Sequence, residues 1–257
     1  MNLTASDINR HLKTENMTVE VYKEVTSTNT LLKQRGHNGA DQGLVIVAES
    51  QTAGRGRMGR DFFSPNQTGV YFSLLLRPNL SPADSLLITT CAAVACARVL
   101  ENVSGKKAEI KWVNDIYIDN RKVCGILTEA SFAQSKIDFA VLGIGVNLYL
   151  PEGGFPESIK DKAGSIFEDH DTDLRGYIIA EVLNEFLNMY ETIEKREFIE
   201  EYRKRSMLDG KQINVIKFDC ITPATALYVD ADLSLVVHYK TGEIEHLSSG
   251  DVSIRKL

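Results

Sequence analysis

Several things are scarce in this sequence. Of its 257 residues, 4 are Cys and 5 are His. Cys91, Cys96, Cys124 and Cys220 contain no CxxC pair, and His11, His37, His170, His238 and His246 form no ligand-spaced group with them. A structural zinc site or a disulfide framework is therefore not expected. Cys91 and Cys96, five apart, would lie about 140° apart around a helix and share no face. Positive charge is not in excess: 29 Lys and Arg stand against 35 Asp and Glu, a net charge of -6. A chain-wide nucleic-acid surface is therefore not expected, and any anion site must be built locally. No apolar run reaches the roughly 20 residues of a membrane span. The longest, from Leu86 to Leu100, contains Thr89, Thr90 and Arg98. The opening MNLTASDINR lacks the apolar core of an export signal, so a cytoplasmic protein is expected. Repeats and low-complexity tracts are missing as well. What is present, 43% hydrophobic residues, is a globular composition. The length suits a main domain of about 200 residues with an appendage of about 50.

Along the chain, Thr4 or Ser6 is placed to cap a short helix, and VEVYKEV alternates like a strand. Ser27 or Thr28 then caps a helix over NTLLKQR, which Gly36 is expected to end. GLVIVAE (43–49) and GVYFSLLL (69–76) read as buried strands. Ser81 and Pro82 are expected to open a long helix as N-cap and first residue, with Gly105 at its end. From Glu109 the pattern is a meander: EIKWV, a turn at Asn114-Asp115, IYI, a turn at Asp119-Asn120, RKVCGILTEA, then KIDFAVLGIGVN. Residues 174–193 carry a helical apolar stripe. Beyond about residue 208 five short strands follow, which predicts a small, partly closed barrel after a linker at Asp209-Gly210.

Residues 50–65, SQTAGRGRMGRDFFSP, interleave Gly54, Gly56 and Gly59 with Arg55, Arg57 and Arg60. Gly54-x-Gly56-x-x-Gly59 matches the dinucleotide fingerprint literally, but that motif requires a helix directly after the loop, and here Phe62, Phe63, Pro65 and Gly69 lead into a strand. A Walker A reading fails because Arg60-Asp61 stands where Lys-Ser/Thr is needed. A flexible, triply cationic loop remains, suited to anions because glycine amides and guanidinium forks converge on carboxylate or phosphate oxygens. Lys111 and Lys122 bracket Asn114-Asp115, although Asn114, Asp115, Asp119 and Asn120 are also ordinary turn formers. Strand parity puts Lys122 and Cys124 on one face and Gly125 on the other. If Lys122 and Gly125 both touch a ligand, a bulge is expected between them.

TSTN (26–29), ESQTAGRGRMGRDFFSP (49–65), KWVNDIYIDNRKVCGILTE (111–129) and GIGVN (143–147), in this order, closely resemble biotin protein ligase. GDVSIR (250–255) is similar to the end of that family's small SH3-like domain. The resemblance implies an α+β fold: a mixed central sheet flanked by helices, class II synthetase-like, over residues 1–208, with an SH3-like barrel over 209–257. It implies an enzyme that converts biotin and ATP to biotinyl-5′-AMP and pyrophosphate, magnesium accompanying the nucleotide. A lysine of a biotin carboxyl carrier domain, as in acetyl-CoA carboxylase, then takes the biotinyl group. No resident metal is implied.

Step one brings a carboxylate against a polyphosphate, and two unit charges about 4 Å apart at an effective dielectric near 20 repel by ~4 kcal/mol. By the resemblance, Lys122 partners biotin's carboxylate, and Arg57, Arg60 and Lys111 are candidates for the phosphates; Lys122 and Arg57 are the catalytic pair. Ser27, Thr28, Asn29 and Gln51 would hydrogen-bond the ureido ring, with the backbone of Gly54, Arg55, Gly56 and Arg57 closing over it and Gly125 beside it. Ser27 would also be a helix cap. Phe62, Asn114, Asp115, Asn147 and Arg255 would complete the adenylate site. A glycine-rich lid would shield the mixed anhydride from water.

Phe62 stands where the family often has Trp, and Val113 where it often has Pro; Val113 is expected to extend its strand. LYVDADL replaces the usual GIDxxG. A lipoate or octanoate ligase of related fold is the alternative enzyme. Twenty-six residues precede Ser27, too few for a winged helix-turn-helix, so no specific DNA binding is expected. KIDFAVLGIGVN reads as an apolar edge strand, and family dimers pair through the central sheet, which points to a homodimer.

Overall fold

The computed structural model describes residues 2–134, 136–217, 220–248 and 250–254. Seven strands form one mixed sheet: β1 (Thr18–Val25), β2 (Leu44–Gln51), β3 (Gly69–Leu76), β4 (Glu109–Lys111), β5 (Asp115–Ile118), β6 (Arg121–Ala133) and β7 (Lys136–Asn147), in the order β1-β2-β3-β7-β6-β5-β4. β1 and β2 run parallel, joined by a crossover helix, and the remaining neighbours are antiparallel. Far from being an edge, β7 lies between β3 and β6. Its apolarity comes from burial on both faces, the usual reason a strand reads as a continuous hydrophobic run.

Two short helices and three longer ones complete this part: α1 (Ala5–Asn9), α2 (Thr28–His37), α3 (Leu86–Ser104), α4 (Arg175–Tyr190) and α5 (Ile199–Lys204). Thr4 and Asp7 cap α1 reciprocally. Ser27, in extended conformation, caps α2. Gly36 does not end that helix; it lies inside it, where a Cβ would come 2.7 Å from the Phe139 ring. The glycine serves close packing on β7. Ser81 and Pro82 do not start α3 either. They form a single 3-10 turn (Pro82–Asp84), with the Ser81 hydroxyl given to the Asp84 carboxylate, and α3 begins at Leu86. It ends as expected at Gly105, φ 65°. At 19 residues α3 is long and apolar enough to cross a membrane, yet most of it is buried against α4 and the sheet.

α3 and α4 cover one face of the sheet and share the main core with Val45, Val47, Phe72, Leu142 and Val146. The opposite face is covered only partly. There α2 packs Leu32 on Ile46, Leu75, Phe139 and Val141, and leaves room for a cleft over parts of β6 and β7 beside the end of β2. Burying one Leu or Phe contributes roughly 1.5–3 kcal/mol, so this half-covered face is the less stabilised one and is free to hold a cleft.

β8 (Gln212–Lys217), β9 (Cys220–Val229), β10 (Leu235–Tyr239), β11 (Ile244–Leu247) and β12 (Asp251–Ile254) make a second sheet, all antiparallel, in the order β11-β10-β9-β8-β12. Ile213, Val215, Ala226, Val237 and Val252 from its inner face join the main core. The single Trp fastens the two sheets: Trp112 Nε1 donates to the Leu233 carbonyl at 2.9 Å, in a buried position. Leu233, at φ 70°, sits in the LYVDADL turn that departs from the family pattern. Trp112→Phe is expected to cost about 1–3 kcal/mol, the penalty for stranding that carbonyl, readable as a lower urea midpoint at unchanged slope.

Candidate active site

The cationic loop is a hairpin tongue rather than an open coil. Gln51 N bonds the Ser64 carbonyl at 3.1 Å, Phe62 N the Gly54 carbonyl at 2.8 Å and Gly56 N the Arg60 carbonyl at 2.7 Å, with Arg55 bridged to Asp61. Composition alone could not reveal this, because the rungs are backbone bonds. The glycines now have specific reasons. A Cβ on Gly54 would lie 2.4 Å from the Phe62 carbonyl oxygen, and the tip needs φ 72° at Gly59.

Beneath the tongue is a cleft lined by Ser27, Thr28 and Asn29 from the start of α2, by Gln51, and by Arg55, Gly56, Arg57 and Phe62 from the tongue. Asn114, Lys122 and Gly125 line the other side. Eleven of the residues chosen from sequence therefore share one cavity. Lys122 and Gly125 do so through a register shift in the β5–β6 pairing: Tyr117 faces Lys122 while Ile116 faces Cys124, leaving Val123 bulged. The bulge lets residues of opposite parity line the same cleft.

The cations differ in their ties. Lys122 Nζ lies 2.7 Å from Asp115 Oδ1 and 5.9 Å from the Phe62 ring centre. Arg57 Nη1 donates to Asn114 Oδ1 at 3.3 Å, and its Nη2 to the Gly250 carbonyl of the second sheet at 3.3 Å. Asn114 is itself fixed to β6, giving Nδ2 to the Ile126 carbonyl at 2.8 Å. The turn 112–114 carries this group. Val113 does not extend β4, which stops at Lys111; the Trp112–Val113 peptide is cis, and the Tyr202 hydroxyl donates to the Val113 carbonyl at 3.1 Å.

Around Thr28, Asn29 and Gln51 the lining side chains are uncharged and interlocked, with the Glu129 carboxylate behind Asn29. Thr28 N donates to Gln51 Oε1 at 2.8 Å; Gln51 Nε2 donates to Ser64 Oγ at 2.9 Å, which donates to the Phe62 carbonyl at 2.9 Å. Ser73 Oγ donates to Asn29 Oδ1 at 2.6 Å, and Asn29 Nδ2 donates to the Leu127 carbonyl at 3.2 Å and to Glu129 Oε2 at 3.1 Å. Asn29 thus faces the cleft with both its N–H groups engaged by protein, and frames the site.

Five described residues proposed from sequence are not among those lining the cleft. Gly54 belongs to the tongue's stem; Asp115 lies behind Lys122, 2.7 Å from its Nζ; Arg60, Lys111 and Asn147 lie outside the lining, and Asn147 gives its Nδ2 to the Gly164 carbonyl at 3.1 Å. Arg255 lies outside the described residues. Residues that were not singled out complete the floor: Gly143 and Gly145 of β7, with Ile126, Leu127 and Ile144. Gly125 pairs directly with Gly145, and a Cβ on Gly145 would come 2.5 Å from the Phe62 ring. The spacing of glycines in GIGVN was the available signal.

Nearby protons are held. Burial pushes the Tyr71 hydroxyl up to about 12, and burial likewise raises the Cys124 thiol and the Tyr202 hydroxyl. No lining residue is His or Cys. The site offers fixed cations and hydrogen-bond donors, chemistry suited to anionic reactants.

Residues 21–147 match the model of the biotin/lipoate A/B protein ligase family, a span containing every residue that lines the cleft. Over this span the chain is similar to that family, and its relatives include biotin protein ligases. It is 39% identical over 166 residues to the Bacillus subtilis bifunctional ligase/repressor BirA, covering 64% of this chain and 51% of the relative. It is 32% identical over 155 residues to the Mycobacterium tuberculosis biotin–[acetyl-CoA-carboxylase] ligase, covering 58% of this chain and 55% of that one. The chain thus spans about half the length of these relatives. Among solved structures, the Aquifex aeolicus biotin protein ligase in complex with biotin and ATP superposes with a TM-score of 0.76 at 25% identity, covering 93% of this chain and 99% of that one. The mixed sheet with its helices is that family's catalytic fold, and the second sheet is consistent with its SH3-like domain.

Proposed function

We propose that the protein is an ATP-dependent biotin protein ligase. The observation that carries this reading is the polarity of one cleft: on its glycine floor, Gly143 lies against Asn29, next to uncharged Ser27, Thr28 and Gln51, and Gly125 lies against Lys122, with Arg57 also in the lining. A ureido ring is neutral and polar, and each of its buried atoms left unpaired would cost about 1–3 kcal/mol, so it belongs at the uncharged end. The carboxylate then lies toward Lys122.

In the first step a biotin carboxylate oxygen attacks the α-phosphorus of ATP. The new C(O)–O–P bond gives biotinyl-5′-AMP as the Pα–O bond to pyrophosphate breaks, its electron pair leaving with pyrophosphate. Lys122 and Arg57 offset the charge on the approaching groups. In the second step a carrier lysine, as its free amine, attacks the acyl carbon; AMP leaves and the amine's proton is lost to solvent. Arg60, Lys111 and Asn147 would serve the nucleotide from outside the lining, and Arg255 would reach it from the second sheet. Magnesium would arrive on the phosphates, which with water satisfy its oxygen preference. Asp115, the carboxylate next to the cleft, is already paired with Lys122. We take residues 1–208 as the catalytic domain and 209–257 as the SH3-like one.

The carboxylase carrier follows from the relatives' names, which specify acetyl-CoA carboxylase. Incubation with ATP, magnesium and biotin, lipoate or octanoate in turn, followed by pyrophosphate release, tests the reading. Release with biotin at least 100-fold faster than with either other acid is expected, since an aliphatic chain leaves the uncharged polar end unpaired. Equal release with octanoate would overturn it in favour of the lipoate-type ligase.

A further inference from the structure

Glu129 has no part in the scheme above and does not line the cleft, yet three elements meet at it. It follows Leu127 on the same face of β6, with its side chain 15% exposed. Arg55 Nη1 of the tongue lies 3.1 Å from Oε1 and 3.3 Å from Oε2; Asn29 Nδ2 lies 3.1 Å from Oε2; and Lys33 Nζ, one turn further along α2, lies 3.7 Å from Oε1. Two cations and an amide on one largely buried carboxylate make a stronger junction than a surface ion pair. Only one of these donors is on a movable segment. Asn29 and Lys33 are fixed by their helix, whereas Arg55 is carried by the tongue, with its side chain 47% exposed.

We propose that Glu129 is the catch of the tongue: a positioning residue that grips Arg55, holds the hairpin down on the cleft, and so sets how long an acid and its adenylate stay bound. The residence-time half of this rests on the ligase reading; the mechanical half does not. The grip also divides the arginines. Arg57 meets Asn114 and the second sheet, while Arg55 is turned to the opposite wall and acts as a fastening.

The test compares the full chain with Glu129→Gln, Arg55→Met and the double variant. Trypsin cutting after Arg57 and Arg60, followed by mass spectrometry without ligand, reads the tongue directly. Dissociation of biotin, chased with excess unlabelled biotin, reads residence time. Each single variant is expected to raise the cutting rate and the biotin off-rate about tenfold, roughly the loss of one charge-assisted pair. The double variant should match either single, because both remove the same contact, and KM for biotin should change more than kcat. Arg55→Met touches only the tongue, so it keeps the test intact should Glu129→Gln loosen α2. Additive effects in the double variant, or unchanged cutting in Arg55→Met, would overturn the catch. Faster cutting in a protein that never binds biotin would uphold the catch and defeat the ligase reading instead.

Discussion

Replacing Lys122 with alanine is expected to lower kcat/KM for biotin-dependent pyrophosphate release about a thousandfold while the fold survives. The argument rests on the group that Lys122 already holds. Its ammonium has three donors, and Asp115 at 2.7 Å takes one, leaving others for an incoming carboxylate. Without the lysine, Asp115 and biotin's carboxylate would face each other with only Arg57 nearby. At about 4 Å and an effective dielectric near 20 that repulsion is ~4 kcal/mol, close to three decades in rate. Lys122→Arg should recover part of the loss. The check is steady-state pyrophosphate release with melting temperature as control, and a Lys122→Ala protein with full activity would remove this lysine from the mechanism.

The second large effect is expected at the glycine floor, graded by what each new methyl group would meet. At Gly143 it would lie 1.9 Å from Asn29 Oδ1. Asn29 cannot simply swing aside, since Ser73, Leu127 and Glu129 hold it. Gly143→Ala should therefore cost about 1–3 kcal/mol of stability, the usual range for overpacking, and abolish measurable biotin binding. At Gly145 the obstacle is the Phe62 ring at 2.5 Å, and at Gly125 the same ring at 3.0 Å with Lys122 Nζ at 3.2 Å. Those groups sit on a tongue and at the end of a flexible side chain. Gly145→Ala and Gly125→Ala should accordingly keep near-parental melting temperatures and weaken binding in that order. Calorimetry with biotin on the three variants, beside thermal scans, checks the ranking; a Gly143→Ala protein as stable as the parent would show that Asn29 is not pinned.

Local chemistry made much of this legible in advance. The Asp119-Asn120 turn, with φ of 52° and 60°, is the two-residue hairpin its side chains favour. A bulge beside Lys122 was expected if Lys122 and Gly125, opposite in parity, were to meet one ligand, and the β5–β6 pairing does shift register there. Where the reading failed, the cause was tertiary. β7 looked like an edge because apolarity does not say how many neighbours a strand has. Gly36 looked like a stop because the Phe139 ring that demands it lies about a hundred residues away. Val113 looked like strand because β-branched residues favour strands, but the turn's bonds to Ile126 and Tyr202 decided otherwise. Gly143 and Gly145 went unremarked for a related reason: a missing side chain counts only once its neighbours are known. Glu129 is the same kind of case, since its three partners come from Asn29, Lys33 and Arg55, far from it in sequence.

The seam between the two sheets has an optical consequence. Trp112 is the chain's one tryptophan, its indole N–H is given to Leu233, and it sits two residues before the asparagine that holds Arg57. Intrinsic fluorescence excited at the indole band therefore does not average over the molecule. It reports from a single point where the second sheet touches the catalytic turn, so an emission shift on adding ligand is a signal of that seam moving, obtained without any label.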